Sequence, residues 1–175
     1  GASIGGAERR KGEHEVLVFG VLNVTPDSFS DGGRYVDADV ALAHGLRLVS
    51  DGAHVIDVGG ESTRPRGHAY GPGYEDVSAD VECARVVPVV RALVAANVRV
   101  SIDTTKPEVA EAALEAGAAI VNDTSCGGSD RLLDAVSANG AELVLMHNRG
   151  RGEVDAANTD YGDVVRDVCD TLVRA

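Results

Sequence analysis

Short apolar runs alternate along the chain with longer stretches that carry apolar residues at helical spacing. The runs are VLVFGVL (16–22), HVIDVG (54–59), VRVSID (98–103), AIVND (119–123) and LVLMH (143–147). Their near-continuous Val, Ile and Leu content is what parallel strands covered on both faces require. Helix candidates fall between and after them, at about 37–51, 77–96, 107–116, 129–139 and 161–174. Pro107 stands where a first-turn proline belongs, and Gly117 closes that helix. Ser129 and Asp130 open the next one, which Gly140 ends. Nothing linker-like interrupts the alternation, so one domain is expected over 16–175, after a disordered polar segment at 1–15.

The expected fold class is therefore α/β, with five parallel β/α units. Two architectures fit: a doubly wound open sheet, complete with five strands, or part of a β/α barrel, which needs eight strands and about 250 residues. Periodicity does not separate them. Each strand ends in polar residues: Asn23, Asp57, Asp103, Asn122 with Asp123, and His147. Any one of these is as well explained as a cap for the following helix. Five together, at the strand ends where parallel α/β folds hold their sites, point to one polar mouth.

Composition narrows the function. With 16 Lys+Arg against 28 Asp+Glu the net charge is -12, the wrong sign for non-specific nucleic-acid binding. A local anion site is still compatible with that charge. No apolar run reaches the ~18 residues of a membrane span, so no membrane partner is expected. The first fifteen residues lack the apolar stretch of a secretory signal. Cys83, Cys126 and Cys169 are odd in number and widely spaced, as reduced thiols of a cytoplasmic protein would be. A first residue other than Met is expected of a processed chain or of a piece of a longer one.

Two loops look chemical. LNVTPDSFSDGG (22–33) places Asn23, Thr25, Asp27, Ser30 and Asp31 directly after a buried strand, with Phe29 as a large apolar group among them. Turn residues alone explain most of it, but Phe29 suits a flap that covers a flat ring. In VGGESTRPRG (58–67), Gly59 and Gly60 let the backbone approach a ligand. Ser62, Thr63 and Arg64 supply two hydroxyls and a guanidinium for a phosphate or diphosphate. The competing reading is a surface turn with an incidental arginine. Asp103 and Asn122 should sit level on adjacent strands, where a carboxylate and an amide read the donor–acceptor edge of an amidine-like heterocycle. Met146 lies flat against a ring or fills the core. His147 is a satisfied strand-end histidine or an acid–base group. No nucleophile elbow, P-loop or dinucleotide fingerprint is present.

GVLNVTPDSFSDGG followed by IDVGGESTRP closely resembles the two signature segments of bacterial dihydropteroate synthases. SIDTTKPEVAEAALEAGAAIVND and LVLMHNRG look like the next strand ends of that family, and the similarity runs from about Val16 to Ala175. The resemblance implies a β/α barrel, of which this chain carries five of eight units. It also implies a cytoplasmic transferase of folate biosynthesis. That reaction joins 4-aminobenzoate to (7,8-dihydropterin-6-yl)methyl diphosphate, giving dihydropteroate and pyrophosphate, and sulfonamides compete for the aminobenzoate site. By the same resemblance Asn23 is a ligand of Mg²⁺, and Asp103 and Asn122 hold the pterin with Met146 beside its ring. Ser62, Thr63 and Arg64 bind substrate, Phe29 and Pro65 sandwich the aminobenzoate, and Asp31 sits at the reacting centre.

This sequence departs from the family in two ways. The last three β/α units, with their pterin- and diphosphate-binding side chains, are missing, so the implied partner is the C-terminal half of the barrel or a second copy. The stretch Arg66 to Asp80 looks longer than the usual link, and Cys126 stands where a glycine is common. Two alternatives follow. One is a non-catalytic pterin-binding half barrel or split-protein partner. The other is the pterin domain of a methyltetrahydrofolate-dependent methyltransferase, which the LNVTPDSFSDGG segment argues against.

Overall fold

The computed structural model describes residues 16–25, 38–61, 77–147 and 161–175; the segment 1–15 and the loop extension at 66–76 lie outside them. Among the described residues, five strands alternate with five helices: β1 (Phe19–Asn23), α1 (Ala38–Ser50), β2 (Val55–Gly59), α2 (Ala79–Ala95), β3 (Val100–Asp103), α3 (Pro107–Glu115), β4 (Ile120–Asp123), α4 (Asp130–Asn139), β5 (Glu142–Leu145) and α5 (Val164–Leu172). All strand pairs are parallel, and the spatial order is the chain order, β1-β2-β3-β4-β5.

That order decides between the two architectures. A doubly wound sheet reverses its strand order at a switch point. Here each crossover adds the next strand on the same side, with the helices packed on one face of the sheet. Successive helices pack in turn, α1 on α2, α2 on α3 and α3 on α4. This is the winding of a β/α barrel, with β1 and β5 as open edges among the described residues.

The helix-facing side of the sheet carries Leu22, Ile56, Val58, Val100, Ile102 and Val121, all at most 1% exposed. They pack on Val86, Val89, Val90 and Leu93 of α2, on Val109 and Ala113 of α3 and on Leu132 of α4. Pro88 lies inside α2, where an interior proline costs a helix about 3 kcal/mol. The four buried apolar side chains of α2 offset that cost. Helix ends follow local chemistry. Ser78 and Ser129 cap α2 and α4 through their hydroxyls, Pro107 opens α3, and Gly140 ends α4 at φ 61°. β1 begins three residues later than its apolar run suggests. The carbonyl of Val18 accepts from the amides of His54 and Val55 before the regular ladder starts at Phe19.

Candidate functional site

Because side chains alternate across a strand, the register puts two rows on the face opposite the helices. The deeper row is Val21, Asp57, Ser101, Ile120 and Glu142. The row at the carboxyl end is Asn23, Gly59, Asp103, Asn122 and Val144. Asp103 and Asn122 are direct register partners, as expected from the sequence. Gly59 lies between Asn23 and Asp103. A Cβ there would sit 3.6 Å from Asn23 Oδ1 and 3.7 Å from Asp103 Oδ2. Glycine thus leaves a gap into which the amide and carboxylate oxygens both turn.

Asn122 Nδ2 donates to Asp57 Oδ2 at 3.0 Å. An amide nitrogen alone can donate to a carboxylate, so this bond fixes the Asn122 flip and directs its Oδ1 away from Asp57. In the sequence Asp57 is one of the five polar strand ends expected to form the mouth. Its signal was a single carboxylate inside VIDVG, and in the structure it is 7% exposed. Asp57 Oδ1 and Ser101 Oγ are buried without hydrogen-bond partners among the described residues. Such groups carry a desolvation cost that a ligand bearing N–H donors would relieve.

Asp103 is the electrostatic centre of the mouth. Burial first, then the negative charges of Asp57, Glu82, Glu61 and Asp123, push its pKa up to about 7. A carboxyl group held so close to neutrality is typical of a binding or catalytic position.

Two strand-end residues play other parts. Asp123 faces the helices and accepts from Ser125 N at 2.7 Å, Ser125 Oγ at 2.6 Å and Gly127 N at 2.7 Å. It builds the turn after β4 and does not enter the mouth. That turn forces Cys126 to φ 61°, a conformation costing an L-residue about 1–2 kcal/mol. Cys126→Gly is therefore expected to stabilise the fold by about 0.5–1 kcal/mol after glycine's larger chain entropy is deducted; a urea midpoint would measure it. Met146 is 43% exposed just beyond β5, so it is no core residue and stands at the rim. The His147 ring lies 6.0 Å from that of Tyr161 at 43°, which joins the end of β5 to the start of α5. Phe29, Asp31, Ser62, Thr63, Arg64 and Pro65 lie outside the described residues.

Asn23 offers one neutral oxygen at the rim. Among the described residues no three His, Cys, Asp or Glu side chains converge as a metal cage. A Mg²⁺ ion takes one or two protein oxygens and completes its shell with water and phosphate, so a single amide oxygen facing the mouth fits that ion.

Fold and mouth together define a class: an α/β barrel-type domain with a polar mouth at the carboxyl ends of its strands. The profile of the pterin binding enzymes matches residues 19–174, and the chain belongs to that family. It is 50% identical over 157 residues to the dihydropteroate synthase of Mycobacterium leprae, covering 87% of this chain and 52% of that protein. Among solved structures it resembles the Xanthomonas albilineans dihydropteroate synthase with 4-aminobenzoic acid, at 43% identity and a TM-score of 0.72, over 90% of this chain and 53% of that one. The same enzyme in complex with 7,8-dihydropteroate matches at 40% identity and a TM-score of 0.69, over 90% and 52%. The chain thus spans about half the length of the relatives it matches. No helix among the described residues is long and apolar enough to cross a membrane.

Proposed function

We propose that this chain is the pterin-binding part of a cytoplasmic dihydropteroate synthase. The observation that carries the reading is the row Asn23, Gly59, Asp103 and Asn122, two oxygens of which converge above a glycine. The ionised Asp103 accepts from the ring N–H and amino group of the pterin, Asn122 pairs beside it, and Met146 covers the ring edge. Asn23 holds Mg²⁺, which when bound neutralises charge on the leaving diphosphate. The bond between the pterin methylene carbon and the diphosphate oxygen breaks first, the electron-rich pterin stabilises the developing methylene cation, and the aminobenzoate nitrogen then bonds to that carbon and gives up a proton to solvent. Ser62, Thr63 and Arg64 are assigned to the anionic substrate, Phe29 and Pro65 to the aminobenzoate, and Asp31 to the reacting centre, on the resemblance of their segments. The protein's share is orientation and charge stabilisation. The cofactor is Mg²⁺; the partner is the rest of a barrel or a second copy.

A second reading, a non-catalytic half barrel beside a partner, is favoured by the open sheet, whose edge strands expose Val21 (60%) and Val144 (41%). Pyrophosphate release from dihydropterin methyl diphosphate separates the two. The synthase reading expects release that needs 4-aminobenzoate and Mg²⁺ and is blocked by a sulfonamide. Asn23→Ala should raise the Mg²⁺ concentration for half-maximal release about tenfold, the scale of losing one ligand interaction. An unaltered Mg²⁺ dependence would remove Asn23 from that role. Pterin binding by a folded chain without any release would favour the second reading.

A further inference from the structure

Behind the mouth, one ammonium group joins three elements. Lys106, just before α3, pairs with Glu61 at the exit of β2 and with Glu82 of α2, the latter at 2.7 Å. Glu82 is 1% exposed, so its charge needs this partner. Burial draws Lys106 toward its neutral form, but the hydrogen bonds to Glu61 and Glu82 outweigh it and raise its pKa. The amide of Lys106 donates to Thr104 Oγ1 at 3.2 Å, tying the same residue to the end of β3. On the other side, Arg85 of α2 donates to the carbonyl of Gly60 at 2.9 Å.

We propose that Glu61 and Lys106 are positioning residues for the pterin mouth: their ion pair holds the exit of β2 against the end of β3, and so sets how Gly59 stands between Asn23 and Asp103. The inference rests on the pterin reading and concerns residues that do not touch the ligand. No local cue in the chain marks this pair, because Glu61 and Lys106 lie 45 residues apart and meet only across the register of β2 and β3.

Glu61→Ala tests it cleanly, since Glu82 keeps its cation and the buried charge stays paired. Binding of 6-hydroxymethylpterin to the chain would be followed from pH 5.5 to 8.5, beside Glu61→Gln. Both variants remove a negative charge near Asp103, so both should move the acid limb of binding to lower pH. Only Glu61→Ala should also lower the alkaline plateau, about tenfold, because the amide of glutamine still accepts from the ammonium. A folded Glu61→Ala with the wild-type plateau overturns the proposal, as does an equal loss in both variants. If Glu61→Ala does not fold, Lys106→Arg takes its place: its fork spans both carboxylates, and a plateau lost despite native circular dichroism also overturns the brace. Should the wild type bind no pterin at any pH, the pterin reading fails. The brace is then judged alone from the amide resonances of Gly60 and Asp103, which Glu61→Ala must displace if it exists.

Discussion

Asp103→Asn is expected to abolish pterin binding and, above neutral pH, to raise the melting temperature. The two effects share one cause. Asp103 stands at the end of β3 with Asp57, Glu61, Glu82 and Asp123 around it, and burial with these charges lifts its pKa to about 7. An unfolded aspartate titrates near 4, roughly. Between those values the native state binds a proton that the unfolded state has lost, so this group's contribution to stability falls as pH rises from about 4 to about 7. Above that window the carboxylate is ionised in both states, and the native state bears the full repulsion. Asparagine does not titrate, so the variant's advantage should be near zero at pH 4, grow through pH 7 and then level off. Scanning calorimetry at pH 5 and pH 8 checks this; an advantage that does not grow with pH refutes it.

Binding should move the other way. Two ligand donors need two acceptors, and the asparagine amide presents an N–H₂ to one of them. Loss of such a charge-assisted pair costs about 2–5 kcal/mol, or roughly 30-fold to a few thousand-fold in affinity. If the wild-type site binds pterin through the ionised carboxylate, as proposed, affinity should fall about tenfold per pH unit below about 7. That slope should be absent in the variant. A residue that lowers stability in order to bind is the pattern expected of functional sites.

Much of this architecture was legible in the chain because its cues are local. The apolar runs, Pro107 at the start of α3, Ser129 and Gly140 around α4, and the pairing of Asp103 with Asn122 at one level all follow from spacing and end chemistry. Strand order did not, because periodicity fixes what a strand buries and not which strand lies beside it. Two residues whose roles are not legible in the sequence share that cause. Asp57 matters through Asn122, 65 residues on. Lys106 matters through Glu61, 45 residues back. Asp123 was grouped with the mouth, yet it sits one residue out of phase with Asn122, and in a strand one residue reverses the face. Met146 needed its exposure to settle between core and rim.

Gly60→Ala is expected to cost about 2–3 kcal/mol of stability, the upper part of the range for an overpacked site, and to weaken pterin binding with it. The reason is space and not backbone strain, since Gly60 is absent from the positive-φ glycines among the described residues. A Cβ there would lie 2.7 Å from Val86 Cγ1 and 2.8 Å from Glu82 Cγ. Neither neighbour can withdraw easily: Val86 is fully buried against the sheet, and Glu82 is tethered to Lys106. Relief must come from moving α2 away from β2 or from moving the strand exit itself. The first opens the core around Val86, Val89 and Leu93; the second displaces Gly59 from between Asn23 and Asp103. Gly140→Ala is the matched control. It also places a methyl on a glycine, but with no atom within 4 Å and φ at 61°, so it should cost only about 1 kcal/mol of conformational strain and leave binding unchanged. Urea midpoints and pterin affinities of the two variants separate the causes. If both lose stability equally and neither loses affinity, α2 does not set the mouth. If Gly60→Ala alone loses both, the packing of α2 on the exit of β2 is what holds the core and the binding row in one geometry.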